Sequence, residues 1–150
     1  MLNIYLDTSA LIKLFILEED SLQTWKFVQS SDNTSSSAIT FVEMRSALAK
    51  LVRTKSITAQ EAQLVWEEFL HWWPKLQRIP VDAPLLTSAA HLAWEYHLRA
   101  YDAVHLACAI TWQTLLGYPI TLATFDHALW KASQAAGLQV WPDELRHPKG

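Results

Sequence analysis

Glycine is nearly missing from this chain. Three occur in 150 residues, at Gly117, Gly137 and Gly150. A phosphate-cradling P-loop, a dinucleotide-binding GxGxxG turn and a GxSxG nucleophile elbow all need clustered glycines, so each is excluded. Cysteine is scarcer still. Cys108 stands alone in "VHLACAI", where a single thiol closes no internal disulfide and nothing argues for secretion. It reads as a small buried hydrophobe. CxxC is ruled out and the six histidines form no HExxH, so neither structural nor protease-type zinc is expected. No apolar run approaches the ~20 residues that span a bilayer, and no basic segment followed by an apolar one opens the chain. A soluble cytoplasmic protein with no membrane contact is expected. Excess positive charge is lacking too, the formal net charge being -3. Such a chain binds nucleic acid through a local patch or a metal ion, not through a general positive field.

What is present is a core. Hydrophobic residues make up 51% and charged residues 18%, which excludes a disordered chain. The length suits one domain over residues 1–150, burying roughly 70% of the unfolded chain's surface.

Short apolar runs alternate with helical patterns. "LNIYL" (2–6) reads as a buried strand, followed by a helix through Leu17 and a second from a cap at Asp20 or Ser21 to about Gln29. "SSAI" (36–39) is a second strand, and Thr40 is the expected N-cap of the helix "FVEMRSALAKLVRTK". That helix lines up Phe41, Met44, Ala47, Leu48 and Leu51 at helical spacing. The next helix runs from about Thr58 to Trp73–Pro74. "LQRIPV" is a third strand, with Pro80 pushing it to an edge or a strand end. Asp82 caps a helix through His97. "AYDAVHLACAITWQTLL" is apolar nearly all round, which marks a buried helix. "ITLAT", a helix closed by Gly137, and "LQVW" complete the chain. Strands separated by helices imply an α/β fold with a short parallel sheet of four to five strands between helical layers.

Active residues in such sheets collect at the carboxyl ends of strands. Asp7 follows the first strand and Asp126 the fourth. Asp102 begins the buried helix, and Glu43 lies in the first turn of its own, about 40° off the apolar face at 100° per residue. Singly, each Asp is more simply a helix N-cap, and a first-turn Glu is ordinary.

The stretches "YLDTSALIKLF", "FVEMRSAL", "LRAYDAVHLACA" and "LATFDHALWKASQAAGLQVW" occur in that order. Together, from Asn3 to Trp141, they resemble the PIN domain family, and in particular the VapC-type toxins of bacterial toxin–antitoxin pairs. The resemblance implies a three-layer α/β/α fold and a metal-dependent endoribonuclease using Mg²⁺ or Mn²⁺. The four family acids fall on Asp7, Glu43, Asp102 and Asp126, with Asp7, Asp102 and Asp126 as metal ligands. Glu43 would orient or deprotonate the attacking water, or help hold a second ion. Thr8, Ser9 and Thr124 match the hydroxyl positions that steady the carboxylates, or they only cap helices. An RNA substrate, a VapB-like antitoxin and a homodimer are the implied partners. The chemistry suits the residues: hard divalent ions prefer oxygen ligands, and a bound ion acidifies water and reverses the sign of an acidic cleft.

Arg99, three residues before Asp102, is a candidate for RNA contact or for pairing with an acid. Arg45, Lys50, Arg53 and Lys55 could meet phosphates or form a solvated face. Trp66, Phe69 and Trp73 follow helical spacing with Ala62 and Leu70 and read first as core. The family implies instead that the helices around 41–73 project to serve dimer and antitoxin. His105 and His127 flank the acids and are assigned no role. Two features depart from the family pattern: His97–Leu98 stands where a small turn residue is expected, and no second acid follows Asp126.

Other readings fit less well. A haloacid-dehalogenase-type phosphatase needs an acid two residues after its first, where this chain has Ser9. A receiver domain needs an early acid pair, which Asp7 lacks. A PIN-fold interaction protein without activity is the non-enzymatic alternative.

Overall fold

A computed structural model of the chain describes residues 1–146. The end of the expected 1–150 domain, including Gly150, lies outside the described residues. The strands are β1 (Asn3–Leu6), β2 (Asn33–Ser37), β3 (Gln77–Ile79), β4 (Thr121–Ala123) and β5 (Gln139–Trp141). All pair in parallel in the order β3-β2-β1-β4-β5. The helices are α1 (Thr8–Leu11), α2 (Ser21–Gln29), α3 (Thr40–Arg53), α4 (Ala59–Trp72), α5 (Ala83–Tyr96), α6 (Ala100–Leu116) and α7 (His127–Ala135). Short 3₁₀ turns follow α1 at Ile12–Leu14 and α4 at Trp73–Lys75.

The pleat of β1 divides the core. Tyr5 faces the cluster built on α5, α6 and α7. Ile4 and Leu6 face the opposite one, which holds Met44 of α3 and Phe69 of α4. Side chains alternate across a strand, so four consecutive buried residues require cover on both faces. The expected three layers follow. The order reverses between β1 and β4, which opens a crevice at the carboxyl edge of these two strands.

Helix α6 lies deepest. Asp102 through Ala109 and Trp112 are all buried. Burying one large apolar side chain is worth ~1.5–3 kcal/mol, against ~1 kcal/mol for a typical hydrogen bond. Packing of Val104, Leu106 and Trp112 therefore sets the rotation of α6, and with it the direction of Asp102 and His105.

Several expectations are corrected. The second strand is Asn33–Ser37, not "SSAI"; its serines Ser35, Ser36 and Ser37 are wholly buried, and a polar run conceals a buried strand from a hydrophobicity argument. Thr40 is not an N-cap but the first residue of α3. Its hydroxyl meets that of Ser36 at 2.7 Å. The first helix gives way to a 3₁₀ turn and ends well before Leu17, which is exposed. Neither Asp20 nor Ser21 caps α2 through its side chain. Asp20 is left-handed (φ 67°), and Ser21 Oγ donates to the Ile16 carbonyl. On α3, Met44 and Leu48 are buried, while Phe41 remains partly exposed. On α4, Leu70 points away from the buried Ala62 and Phe69. As expected, β3 is an edge strand ending just before Pro80, and Cys108 is fully buried.

Candidate active site

Asp7 stands one residue beyond β1 and caps α1, Oδ1 accepting from Ala10 N at 3.0 Å. Ser9 Oγ donates to the same oxygen at 2.8 Å, and Thr124 Oγ1 donates to Oδ2 at 2.7 Å. Thr124 follows β4, the neighbour of β1. Its hydroxyl oxygen also accepts from Asp126 N at 3.0 Å, while Ser9 Oγ accepts from Phe125 N at 2.9 Å. Ser9 and Thr124 thus tie two strand ends together. Asp7 is buried, and burial pushes its carboxyl above the ordinary range; the charge of His105 and the hydroxyl donors oppose that rise only in part.

Asp126 caps α7 through Oδ1, which accepts from Leu129 N at 3.0 Å. Its Oδ2 accepts from Arg99 Nη2 at 3.0 Å. Arg99 Nε lies 3.3 Å from Asp102 Oδ2, so one guanidinium bridges two acids. Asp102 is not a cap; it occupies the first turn of α6 and is buried. Its pKa is raised first by burial and next by the charge of Asp126, with Arg99 opposing.

Glu43, in the first turn of α3, accepts two hydrogen bonds on Oε1. Thr8 Oγ1 donates at 2.8 Å and His105 Nε2 at 2.6 Å. Burial is the largest influence on Glu43 and pushes its pKa up. The bond and charge of His105, with the Thr8 bond, outweigh it, and the net direction is down. His105 is itself buried, and its Nδ1 lies 2.8 Å from the Tyr5 hydroxyl. Burial above all holds the Tyr5 phenol far above its ordinary pKa, so it stays a neutral hydroxyl. The Glu43 carboxylate can only accept, so His105 Nε2 carries the proton shared with it.

The four predicted acids are therefore linked. Thr8, the residue next to Asp7, bonds Glu43, Thr124 joins Asp7 to Asp126, and Arg99 joins Asp126 to Asp102. Arg45 belongs elsewhere, its guanidinium lying over Trp66 at 5.0 Å. Sequence reasoning missed His105. The available signal was its place three residues after Asp102, on the same face of α6. A groove of about 870 Å³ adjoins Arg99 and Asp126 and is lined also by Lys13, Phe125, His127 and Arg146.

Among the described residues, no three His, Cys, Asp or Glu side chains are grouped to hold an ion. The Arg99 guanidinium carries the positive charge between Asp102 and Asp126. The donor set nevertheless suits a hard divalent ion, being all carboxylate and hydroxyl oxygen. Burial above all holds Asp7 and Asp102 above their ordinary range, and a bound cation would offset that cost. No helix among the described residues is long and apolar enough to cross a membrane.

The PIN domain family model matches residues 4–133. Ribonuclease VapC49 of Mycobacterium tuberculosis is 34% identical over 146 residues, covering 95% of this chain and 96% of the relative. Two solved structures share the fold at lower identity. FitAcB from Neisseria gonorrhoeae matches with a TM-score of 0.68 at 20% identity, over 91% of this chain and 95% of its own. VapBC2 from Rickettsia felis, bound to a DNA fragment from its promoter, matches at 0.63 and 15%, over 97% and 100%. The sheet order, the acids at its carboxyl edge and these matches agree: the chain belongs to the PIN domain family, within its VapC branch.

Proposed function

We propose that this chain is a metal-dependent endoribonuclease, acting as one PIN domain over residues 1–150 and as the toxin of a toxin–antitoxin pair in the cytoplasm. The observation that carries the reading is the linked set Asp7, Glu43, Asp102 and Asp126 at the carboxyl edge of the sheet, in a chain 34% identical to a named ribonuclease.

Asp7, Asp102 and Asp126 would hold Mg²⁺ or Mn²⁺. When bound, the ion supplies Lewis-acid chemistry, drawing in a phosphodiester and acidifying water. The chain's own residues do the rest. Ser9 and Thr124 hold Asp7 by hydrogen bonds on both oxygens, which orients it before any ligand arrives. Glu43 keeps Oε1 engaged with Thr8 and His105. Its Oε2 is the atom that takes the proton of the attacking water. Arg99 leaves the acids to contact the RNA backbone, and Lys13 and Arg146 carry that track along the adjoining groove. A homodimer and a VapB-like antitoxin use the α3–α4 surface, supported by the exposed Val42 and Leu64.

The test is cleavage of total cellular RNA by the purified chain in Mg²⁺, in Mn²⁺ and in EDTA, alongside Asp7→Asn. Discrete fragments that need metal and vanish in the variant are expected. A folded chain that neither cleaves nor binds metal is an interaction module instead, and a fully active Asp7→Asn removes Asp7 from the mechanism.

A further inference from the structure

His105 joins two layers of the molecule. Nδ1 reaches into the core, where the Tyr5 hydroxyl is fully buried on β1. Nε2 reaches out to Glu43, whose side chain keeps 23% of its exposure. The three side chains come from β1, α6 and α3, so three separately packed elements fix one line of hydrogen bonds. A histidine that served only the core would find both partners there. Here one partner is a carboxylate at the mouth of the cleft.

Each inner member of the line also lies on an element that carries, or leads directly into, another site acid. Tyr5 lies two residues before Asp7, and His105 lies three residues after Asp102. A shift of β1 or α6 that displaced either acid would break the line to Glu43 as well. The rings of Tyr5 and His105 meet edge to face, with centroids 5.9 Å apart and planes at 72°. That contact holds the imidazole plane, as the hydrogen bonds on Nδ1 and Nε2 hold its two ends.

We propose that His105, clamped by Tyr5, is a positioning residue for RNA cleavage: it holds Glu43 by Oε1 and so presents Oε2 to the attacking water. The inference rests on the nuclease reading given above, and specifically on Glu43 acting in it.

The experiment compares steady-state cleavage of one defined RNA by the full chain and by Glu43→Gln, His105→Phe, His105→Gln and Tyr5→Phe. Folding of each is checked by urea denaturation. Imidazole ¹⁵N NMR reads the His105 tautomer in the parent and in Tyr5→Phe. His105→Phe is expected to lower kcat by about 10- to 100-fold, as loss of a ligand-orienting partner does. KM should stay within about twofold, because no substrate contact is removed. His105→Gln keeps a donor for Glu43 and an acceptor for Tyr5, and should recover most of the loss. Tyr5→Phe, a change of one oxygen, should mix the tautomers and lower kcat in the same sense.

A parent that does not cleave overturns the nuclease reading and this one with it. A fully active Glu43→Gln overturns this one and leaves the nuclease standing. With both of those passed, full kcat in folded His105→Phe, no recovery in His105→Gln, or a loss confined to KM overturns the role given to His105. Should His105→Phe not fold, full kcat in Tyr5→Phe with mixed tautomers overturns it equally.

Discussion

Thr124 Oγ1 lies 2.7 Å from Asp7 Oδ2, joining residues 117 positions apart in sequence. The bond exists because β1 and β4 are neighbours in register, with Leu6 beside Ala123. Each of the two residues is the first beyond its strand. The same hydroxyl accepts from Asp126 N, so one buried side chain serves two site acids.

Thr124→Val keeps the shape and removes both bonds. Asp126 N loses its acceptor in a part-buried place, which costs ~1 kcal/mol. A corresponding drop in the urea midpoint is expected, with cleavage reduced because Asp7 Oδ2 keeps only the longer Ser9 contact at 3.0 Å. An unchanged midpoint would show that solvent replaces the hydroxyl.

Asp7 and Glu43 respond to pH in opposite ways. The folded-state pKa of Asp7 is raised, so its contribution to stability is complete below the unfolded pKa and lost as pH rises through the folded one. That of Glu43 is lowered, so its contribution is present above the unfolded pKa and lost as pH falls through the folded one. In chelator at about pH 7, Asp7→Asn should be more stable than the parent and Glu43→Gln less stable, both differences shrinking toward about pH 3. Asn still caps α1 through its carbonyl oxygen, while its amide group replaces the acceptor that Thr124 uses. Denaturant titrations at the two pH values decide it.

Under the proposed reading, Arg99 competes with the divalent ion for Asp102 and Asp126. Its side chain is 78% exposed, and exposed pairs contribute only ~0–1 kcal/mol to folding, so Arg99→Gln should fold normally. Released from the guanidinium, the acids should bind Mn²⁺ more tightly, on the order of tenfold, the effect of 1.4 kcal/mol. Titration calorimetry reads this without any RNA. Weaker binding in the variant would make Arg99 a support for the site, not a competitor.

His97 ends α5 in the left-handed region, with φ 56° and ψ 40°. This is the position where the sequence departs from the small turn residue of the family pattern. Glycine adopts that conformation without a Cβ penalty. His97→Gly should raise stability by ~0.5–1 kcal/mol, seen as a higher urea midpoint with cleavage unchanged.

Most of the fold was legible because its signals are local. The apolar run of β1, the all-round apolar α6, the caps at Thr58 and Asp82 and the glycine after α7 each act within a few residues. β2 was misplaced because Ser35, Ser36 and Ser37 are buried through partners that a sequence does not display. Ser36 Oγ donates to the Leu6 carbonyl at 2.6 Å.

The site divides along the same line. The sequence alone determined which acids and hydroxyls stand beside strand ends and helix starts, since chain order and short-range propensity place them there. Only the tertiary structure decided that Arg99 bridges Asp102 to Asp126, that Thr124 serves Asp7, and that His105 links Tyr5 to Glu43. Those contacts span from three to 117 positions. Their geometry follows from the pairing of β1 with β4 and from how packing turns α6 against the sheet, long-range outcomes of burial that no local pattern encodes.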